Sequence, residues 1–501
     1  MGMAGILPFS LNKNHAILFL VGCCLSIAQF VMIRDFVAIL YGEEVVIALV
    51  TGAFFFGLSL GYLFSTRIPR QAWAALFVFS VFLHLTFPYS YRYLAAGISA
   101  SDIGGAWFMV LLFTFALFFN SAFATFLPRL IDLPDAGSSA VQRLRACYSV
   151  ELLGFAAGFA AVAWSWNRPL SHLLPVYWVL LGAILCLVLK QKAPKILFFV
   201  LLLIASGFLD KADKDSTALL YEQKHGKRNA RVLLSINSAY QKVEVIEDSN
   251  DERYLYLDGL QNLNATDLAA LNYYIAAVPA HLIHPQKTLI IGNGTLSSVA
   301  KVYPLSGAVV SVELDSGVLA AGRRFFTAPG TLADLARWRL VVDDGKHFLM
   351  TTEERFDLIV MDIPSPLAMQ EAILHTLEFY RLARRRLRPG GVLAVQLSGP
   401  LQQNNRTPAR VTAALQAAFP EVMAVYSEKA GRGFAYAADD LPFTPQDVQR
   451  ETASYESTLQ IIPAAAVPDY LQNARPLALD NLDLVLRRGW ERFSGRYFDD
   501  D

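Results

Sequence analysis

Thr288-Leu289-Ile290-Ile291-Gly292-Asn293-Gly294-Thr295-Leu296-Ser297-Ser298 is the stretch on which the fold turns. Thr288–Ile291 is short, apolar and rich in β-branched residues, which predicts a buried strand. It runs directly into Gly292 and Gly294, and the residues after them read as a helix through Val302. Glycines at such a corner let the backbone approach a ligand closely and let the next helix begin at once. A lone Gly-x-Gly is weak, because glycine-rich loops are common. The segments on either side give it weight.

Downstream, Val309–Val312 predicts a second strand ending at Glu313-Leu314-Asp315, and Leu340–Val342 a third ending at Asp343-Asp344-Gly345. Leu358–Met361 predicts a fourth ending at Asp362. Gly391–Gln396 predicts a fifth, after a helix over Glu378–Leu387 and the turn Pro389-Gly390-Gly391. Strands alternating with helices imply a parallel, doubly wound, Rossmann-like sheet. Ligands of such sheets bind at the carboxyl ends of the strands, where all these acids fall. An acid ending the second strand can accept from both hydroxyls of a ribose, which here means Glu313. Asp344-Gly345 can hold a base edge, and Asp362 faces the reacting centre.

Upstream of the glycine loop, Lys242–Glu247 alternates, with Val243 and Val245 against Glu244 and Glu247. Tyr254–Leu257 follows a turn rich in Asp and Asn, and the two runs predict a β-hairpin. A small β subdomain therefore precedes the main sheet, followed by a helix over Asp267–Leu282.

The first two-fifths of the chain are different. Of 501 residues, 54% are hydrophobic, and the excess lies almost entirely before Asp210. A span needs ~20 mostly apolar residues. Candidates are His15–Met32, Val45–Phe64, Ala72–Phe87, Ala106–Phe126, Val150–Trp166, Leu173–Leu189 and Ile196–Leu209. The last is the shortest, and a re-entrant or interfacial piece is its alternative. More spans follow the N-terminal apolar run, so it reads as a first span and not as a removed signal. Glu151, Asn120 and His84 lie within spans, and Arg34, Asp35, Glu43 and Glu44 bracket the first loop. An ionisable group in lipid is a functional candidate, Glu151 foremost, although snorkelling near span ends accounts for most of them. Gly57, Gly61, Gly154 and Gly158 recur at four-residue spacing, which suits close helix packing.

The expected organisation is a multi-pass transmembrane domain of six or seven helices over 1–210 and a linker with the small β subdomain over 211–285. The Rossmann-like domain then covers 286–440, and a proline-punctuated extension covers 441–501, with a short helix near Leu484–Trp490. Formal net charge is zero, which points to no nucleic-acid partner. The four cysteines, Cys23, Cys24, Cys147 and Cys186, lack metal-ligand spacing and read as small hydrophobes, so no metal is expected.

Taken in order, Ser238-Ala239-Tyr240-Gln241, Leu257-Asp258-Gly259, Ile290-Ile291-Gly292-Asn293-Gly294, Val312-Glu313-Leu314-Asp315, Asp344-Gly345, Asp362-Ile363-Pro364-Ser365-Pro366 and Glu378-Phe379-Tyr380 resemble the spermidine synthase (polyamine aminopropyltransferase) family. The resemblance is closest to its branch with a multi-pass membrane domain in front, where Arg34-Asp35 and Phe56-Gly57-Leu58-Ser59-Leu60-Gly61 look like the first loop and second span. It implies a class I methyltransferase-like fold. It also implies transfer of the aminopropyl group of decarboxylated S-adenosylmethionine to a polyamine such as putrescine, without a metal. By the same resemblance, Gln241, Gly292, Gly294, Thr295, Glu313, Asp344 and Gly345 hold the nucleoside, and Asp362 lines the pocket.

The departures from the family pattern are specific. Thr295 stands where the family has an Asp that grips the cofactor's amino group. Ser365 stands at the catalytic base. Leu271-Asn272-Tyr273 replaces a Tyr-His/Gln-Glu cluster, and Asn262, beside Gln261, replaces the Gln after the Asp-Gly turn. A serine needs activation of its own to act as base, and it supplies no negative charge for an ammonium. The pattern implies retained nucleoside binding with altered or lost amine chemistry. Three readings follow. The first is aminopropyl transfer to a polyamine or other small amine, with Asp362 as base. The second is another transfer from S-adenosylmethionine. The third is a non-catalytic nucleoside or polyamine sensor or transporter. Lys and Arg counts on the two sides of the spans nearly balance, so the cytosolic supply of adenosyl cofactors decides: a multi-pass protein of the inner (plasma) membrane, with its soluble part cytoplasmic. A second copy of the chain stays open as a partner.

Overall fold

The computed structural model describes residues 13–40, 43–101, 106–131, 139–328, 330–332, 335–364, 366, 368–402, 406–472 and 474–494. Packing divides the chain into two units, Met1–Tyr41 with Val46–Asn250, and Gly42–Val45 with Asp251–Asp501.

The first unit is helical. Its helices are α1 (Lys13–Leu40), α2 (Glu43–Phe64), α3 (Arg70–Thr86), α4 (Tyr89–Ala100), α5 (Ala106–Ala124), α6 (Phe126–Ile131), α7 (Ala140–Trp164), α8 (Leu170–Val188) and α9 (Lys192–His225). Among the described residues, five helices are long and apolar enough to cross a bilayer. Counting α3 and α4, which meet at a 72° bend, as one broken span makes six. This supports a multi-pass membrane protein. Pro88 sits at the bend, where a missing N–H and a fixed φ stop the preceding helix. The stretch Ile196–Leu209 lies almost wholly in the N-terminal half of α9, a 34-residue helix that also runs through the expected boundary between 210 and 211.

Small residues let α1 and α7 touch. A side-chain carbon on Gly154 would meet Phe19 O at 2.1 Å, and one on Gly22 would meet Glu151 O at 2.2 Å. One on Gly158 would meet Ser26 Oγ at 1.9 Å. Such close backbone approach is how helices associate where lipid removes the hydrophobic drive. Glu151 is buried in this contact, and its Oε1 finds no partner among the described residues.

The first unit ends in an antiparallel pair, β1 (Arg231–Asn237) and β2 (Lys242–Glu247). Buried charges tie β2 to three helices. Lys242 Nζ reaches Asp35 Oδ1 at 2.9 Å and Glu244 Oε1 at 3.1 Å. Arg92 clamps Asp35 through Nε and Nη2 at 2.8 and 3.0 Å and reaches Asp213 with Nη1 at 2.5 Å. Asp35 therefore does not snorkel: it is the anionic centre of a desolvated network, and such a network holds only while every member is paired.

The second unit opens on another antiparallel pair, β3 (Arg253–Leu257) and β4 (Leu260–Asn264). The expected helix over Asp267–Leu282 follows as α10 (Leu268–Asn272), a π-helical turn (Tyr273–Ala277) and α11 (Val278–Ile283). Pro279 offers no N–H to that turn, and the Tyr274 carbonyl accepts instead from Tyr436 Oη at 2.6 Å.

The main sheet contains β5 (Lys287–Gly292), β6 (Ala308–Glu313), β7 (Trp338–Val342), β8 (Phe356–Asp362), β9 (Leu387–Gln396), β10 (Glu421–Ser427), β11 (Arg432–Ala438) and β12 (Gln460–Ile462). Their spatial order is β12-β10-β11-β9-β8-β5-β6-β7. The five strands from β9 to β7 are parallel, and β11, β10 and β12 extend the sheet antiparallel on the β9 side. Helices α12 (Ser297–Val302), α13 (Ser316–Phe325), α14 (Gly345–Thr351), α15 (Met369–Leu374), α16 (Leu377–Arg386), α17 (Arg406–Ala418), α18 (Pro445–Thr452), α19 (Val467–Tyr470) and α20 (Asp483–Ser494) complete the unit.

Alternation along β5 and β8 feeds two cores. Leu289, Ile291, Ile359 and Met361 pack on one face with Phe379 and Leu415. Ile290, Leu358 and Val360 pack on the other with Tyr274, Val278 and Val299. Both faces are covered, as parallel strands require.

Candidate active site

The chain leaves β5 toward β6 and β7 on one side and returns to β8 on the other. The carboxyl ends of β5, β6 and β8 therefore form a topological switch point, the place where sheets of this kind bind ligands. Register lines up the expected residues. Gly292 stands opposite Asp362, and Glu313 opposite Val342. Glu313 O accepts from Asp343 N at 3.2 Å, which puts Glu313 and the Asp343-Asp344 turn at the same edge.

Gly292 has φ +82°, and a side-chain carbon there would meet Asp362 O at 2.3 Å, so only glycine fits. The turn continues through Asn293, whose N–H donates to Asp362 O at 3.1 Å. Gly294 passes so close to α13 that a side-chain carbon would lie 2.3 Å from Val318 Cγ1 and 3.5 Å from Glu313 Oε2. Gly322, on α13, is held as tightly against Gly294 O, at 2.2 Å. The glycine loop is thereby pressed against the Glu313 carboxylate. Thr295 is buried, with its hydroxyl bonded to Ser297 Oγ at 2.6 Å and its carbonyl accepting from Thr327 Oγ1 at 2.6 Å.

Glu313 is buried, and backbone N–H groups of Asp315, at 3.0 Å to Oε1, and of Leu314 serve its carboxylate. Burial pushes its pKa up to about 7, with the charges of Asp315 and Asp362 adding to the rise and the two backbone hydrogen bonds opposing it. Asp344 caps α14, with Oδ1 accepting from Lys346 N at 2.6 Å and His347 N at 3.2 Å. Gly345 brings that helix against the sheet, since a side-chain carbon would meet Ile291 Cγ2 at 2.5 Å.

Asp362 is half-buried. Its Oδ2 accepts from Asn293 Nδ2 and from Ser298 Oγ, the latter at 3.4 Å. Ser298 Oγ also donates to Asn272 Oδ1 at 2.7 Å, so its one proton is shared and Asn293 is the main donor to the carboxylate. Burial raises the Asp362 pKa, while Asn293, the positive charge of Arg432 and Ser298 pull the other way. No described group takes Oδ1. His375, buried and pushed down to about 4 by burial, bridges Tyr380 Oη and the carbonyl of Pro364, each at 2.9 Å. Its neutral ring fixes the loop just beyond Asp362. Ser365 lies outside the described residues.

Gln241 belongs to the first unit, where it closes the β1–β2 turn. Its N–H donates to Ser238 Oγ at 3.0 Å, and its carbonyl accepts from Ser238 N at 2.8 Å. Among the described residues, no group of His, Cys, Asp and Glu could hold a metal ion.

Sequence reading missed four of these groups, the lone His375 among them. Asn293 and Ser298 were legible only as loop and helix start, and their hold on Asp362 needs the positive φ of Asn293 (61°). Arg432 carries no motif at all.

The class is a mixed α/β domain with carboxylates at its switch point, and comparison with known proteins narrows it. Residues 269–428 match the family model "Spermine/spermidine synthase domain", so the C-terminal part of the chain carries a domain of the spermidine synthase family. The chain is 30% identical over 174 residues to the polyamine aminopropyltransferase of Thermoplasma volcanium, covering 34% of this chain and 63% of that protein. It is 32% identical over 190 residues to polyamine aminopropyltransferase 1 of Pseudomonas aeruginosa, covering 36% and 65%. The chain thus spans under two thirds of these relatives' own length. A crystal structure of spermidine synthase from Thermotoga maritima aligns with TM-score 0.39 and 21% identity, over 53% of this chain and 88% of that one.

Proposed function

We propose that the second unit binds decarboxylated S-adenosylmethionine and transfers its aminopropyl group to an amine, in a protein held in the membrane by its first unit. The observation that carries this reading is the register of Gly292, Glu313 and Asp362 at the switch point, with Asp362 Oδ1 unoccupied. Glu313 accepts from the ribose hydroxyls. The glycine loop passes close to the nucleoside, and the Asp344-Gly345 turn faces its base. In the transfer step the neutral amine nitrogen bonds to the propyl carbon beside sulfur. The C–S bond breaks with its electron pair on sulfur, methylthioadenosine leaves, and the amine proton passes to the Asp362 carboxylate. A base pKa raised from the usual carboxylate range suits proton removal near neutral pH.

A second reading is methyl transfer from ordinary S-adenosylmethionine. Thr295 supports it: the residue is buried and bonded to Ser297, where the family's Asp would grip the cofactor's amino group. One assay separates the readings. Purified full-length protein is incubated with either sulfonium compound and a panel of amines including putrescine. Methylthioadenosine with an aminopropylated amine is the expected product. S-adenosylhomocysteine supports the second reading, and tight nucleoside binding without turnover supports a sensor. We also place the second unit in the cytosol, where adenosyl cofactors are made. Protease accessibility in right-side-out and inverted vesicles tests that placement, and cleavage only in right-side-out vesicles overturns it.

A further inference from the structure

The acceptor side of the site holds a positive charge. Arg432 is the first residue of β11, and the antiparallel pairing of Phe434 with Gln396 puts it at the carboxyl edge of the parallel strands. Gly433 makes room for this: a side-chain carbon there would meet Gly399 O at 2.1 Å. The guanidinium is half-buried, Nη2 donates to Asn262 O at 3.0 Å, and its charge acts on Asp362 and on Asp267.

The groups that hydrogen-bond to Asp362 are neutral, while of the carboxyls nearby Glu313 is raised to about 7 by burial and Asp267 acts on Arg432 itself. Asn293 and Ser298 hold the carboxylate, and Asn272 holds Ser298. Ser365 brings no carboxylate to the loop beyond. Glu371, on α15, spends Oε2 on the Ala368 N–H, and burial raises its pKa to about 7, so it contributes only part of a charge at neutrality. A diamine with both ends protonated would meet, beside the Asp362 carboxylate, the fixed cation of Arg432. A guanidinium fork, by contrast, matches a carboxylate in two parallel hydrogen bonds.

We propose that the acceptor is a small amine bearing a carboxylate, with the carboxylate paired to Arg432 and the amine nitrogen turned to Asp362 Oδ1. The proposal rests on the transfer reading above and names its acceptor class. The bonds made and broken at sulfur are those already given, and the amine proton again goes to Asp362.

Full-length protein in detergent, saturated with methylthioadenosine, is titrated calorimetrically with 4-aminobutyrate and, separately, with putrescine. The two probes share an aminopropyl chain and differ at the far end. The expected result is at least about tenfold tighter binding of 4-aminobutyrate, the scale of one charge-assisted pair. Arg432→Glu should reverse that preference, and Arg432→Gln, which can still donate to Asn262 O, should abolish it. Both variants should bind methylthioadenosine as the parent does, which shows that the domain is folded. Tighter putrescine binding, binding of neither probe, or an unchanged preference in both variants overturns the acceptor class and leaves nucleoside binding standing. Absence of methylthioadenosine binding to the parent protein removes the transfer reading itself.

Discussion

On the β5–β6 side of the switch point, the proposed nucleoside pocket is shaped mainly by backbone. Gly292 fits because of its φ, Gly294 and Gly322 fit because nothing larger would, and Glu313 stands where the register of β6 puts it. On the β8 side the fixed element is a single carboxylate, held by Asn293 and Ser298 and faced by Arg432. The first side depends on main-chain geometry and tolerates few substitutions. The second depends on side chains, which can be exchanged without disturbing the sheet. The contrast explains how a chain can keep the glycine loop and Glu313 of the proposed nucleoside half while its proposed acceptor half departs from the family pattern.

The sharpest way to break the comparison is at Asp362. Asp362→Asn preserves shape and removes the base, and should lower turnover by roughly 10²-fold or more, the usual worth of a general base. Methylthioadenosine affinity should change far less, because the Asp362 charge acts on Glu313 more weakly than burial and the backbone donors of Asp315 and Leu314 do. Steady-state kinetics with parallel calorimetry checks both halves. Full activity in the variant would move the base elsewhere, with Glu371 the next carboxyl to test.

Glu313→Ala makes the complementary cut. It should weaken nucleoside binding by roughly 1–3 kcal/mol, the range for hydrogen bonds to a charged group, and leave folding little changed. An affinity equal to the parent's would mean that the ribose lies elsewhere along the sheet edge.

A smaller effect separates the two sides by pH. Burial raises the Glu313 pKa from 4.5 to about 7, so in the folded protein the carboxyl holds a proton that the unfolded chain has already released. Its contribution to stability is therefore full below about pH 4.5 and is lost as pH rises through about 7. Ribose hydroxyls need the ionised form as acceptor, so binding runs the other way. Affinity should rise through pH 7 and level off above it, falling about tenfold per unit on the acid side. Calorimetry at pH 6 in two buffers of different ionisation enthalpy should show proton release on binding, and Glu313→Gln should abolish it. A flat profile in the parent protein would break the link between Glu313 and the nucleoside.

The same division governs what the sequence could reveal. Strand ends were legible because apolar runs stop abruptly at Gly292, Glu313, Asp344 and Asp362, and backbone periodicity is local information. The span candidates on α1, α2, α7, α8 and α9 were legible for the same reason. The bonding of Asp35 to Arg92 and Lys242 was not, because partners 57 and 207 residues apart leave no local trace. Strands β1 and β4 escaped because Leu233-Leu234 and Leu260-Gln261-Asn262 do not alternate cleanly, and β10 and β11 because their run of small and apolar residues reads equally as helix. Arg432 escaped because a lone arginine in a hairpin has no pattern, and only the crossing of β11 past β9 gives it meaning.

Asp344 carries both kinds of information, and its variants should show the smallest differences. Its carboxylate caps α14 through Lys346 N and His347 N, which is structural work, while the Asp344-Gly345 turn faces the base in the proposed pocket. Asp344→Ala should cost about 1 kcal/mol of stability through loss of the cap, and nucleoside affinity should fall with it. Asp344→Ser keeps a capping oxygen on a shorter side chain, so thermal unfolding should stay close to that of the parent. If the carboxylate touches the base, the serine variant should still bind the nucleoside more weakly than the parent. If it only caps, affinity and stability should recover together. Recovery of both would confine the nucleoside pocket to β5 and β6, and the contrast between the two sides of the crevice would narrow to Glu313 against Asp362.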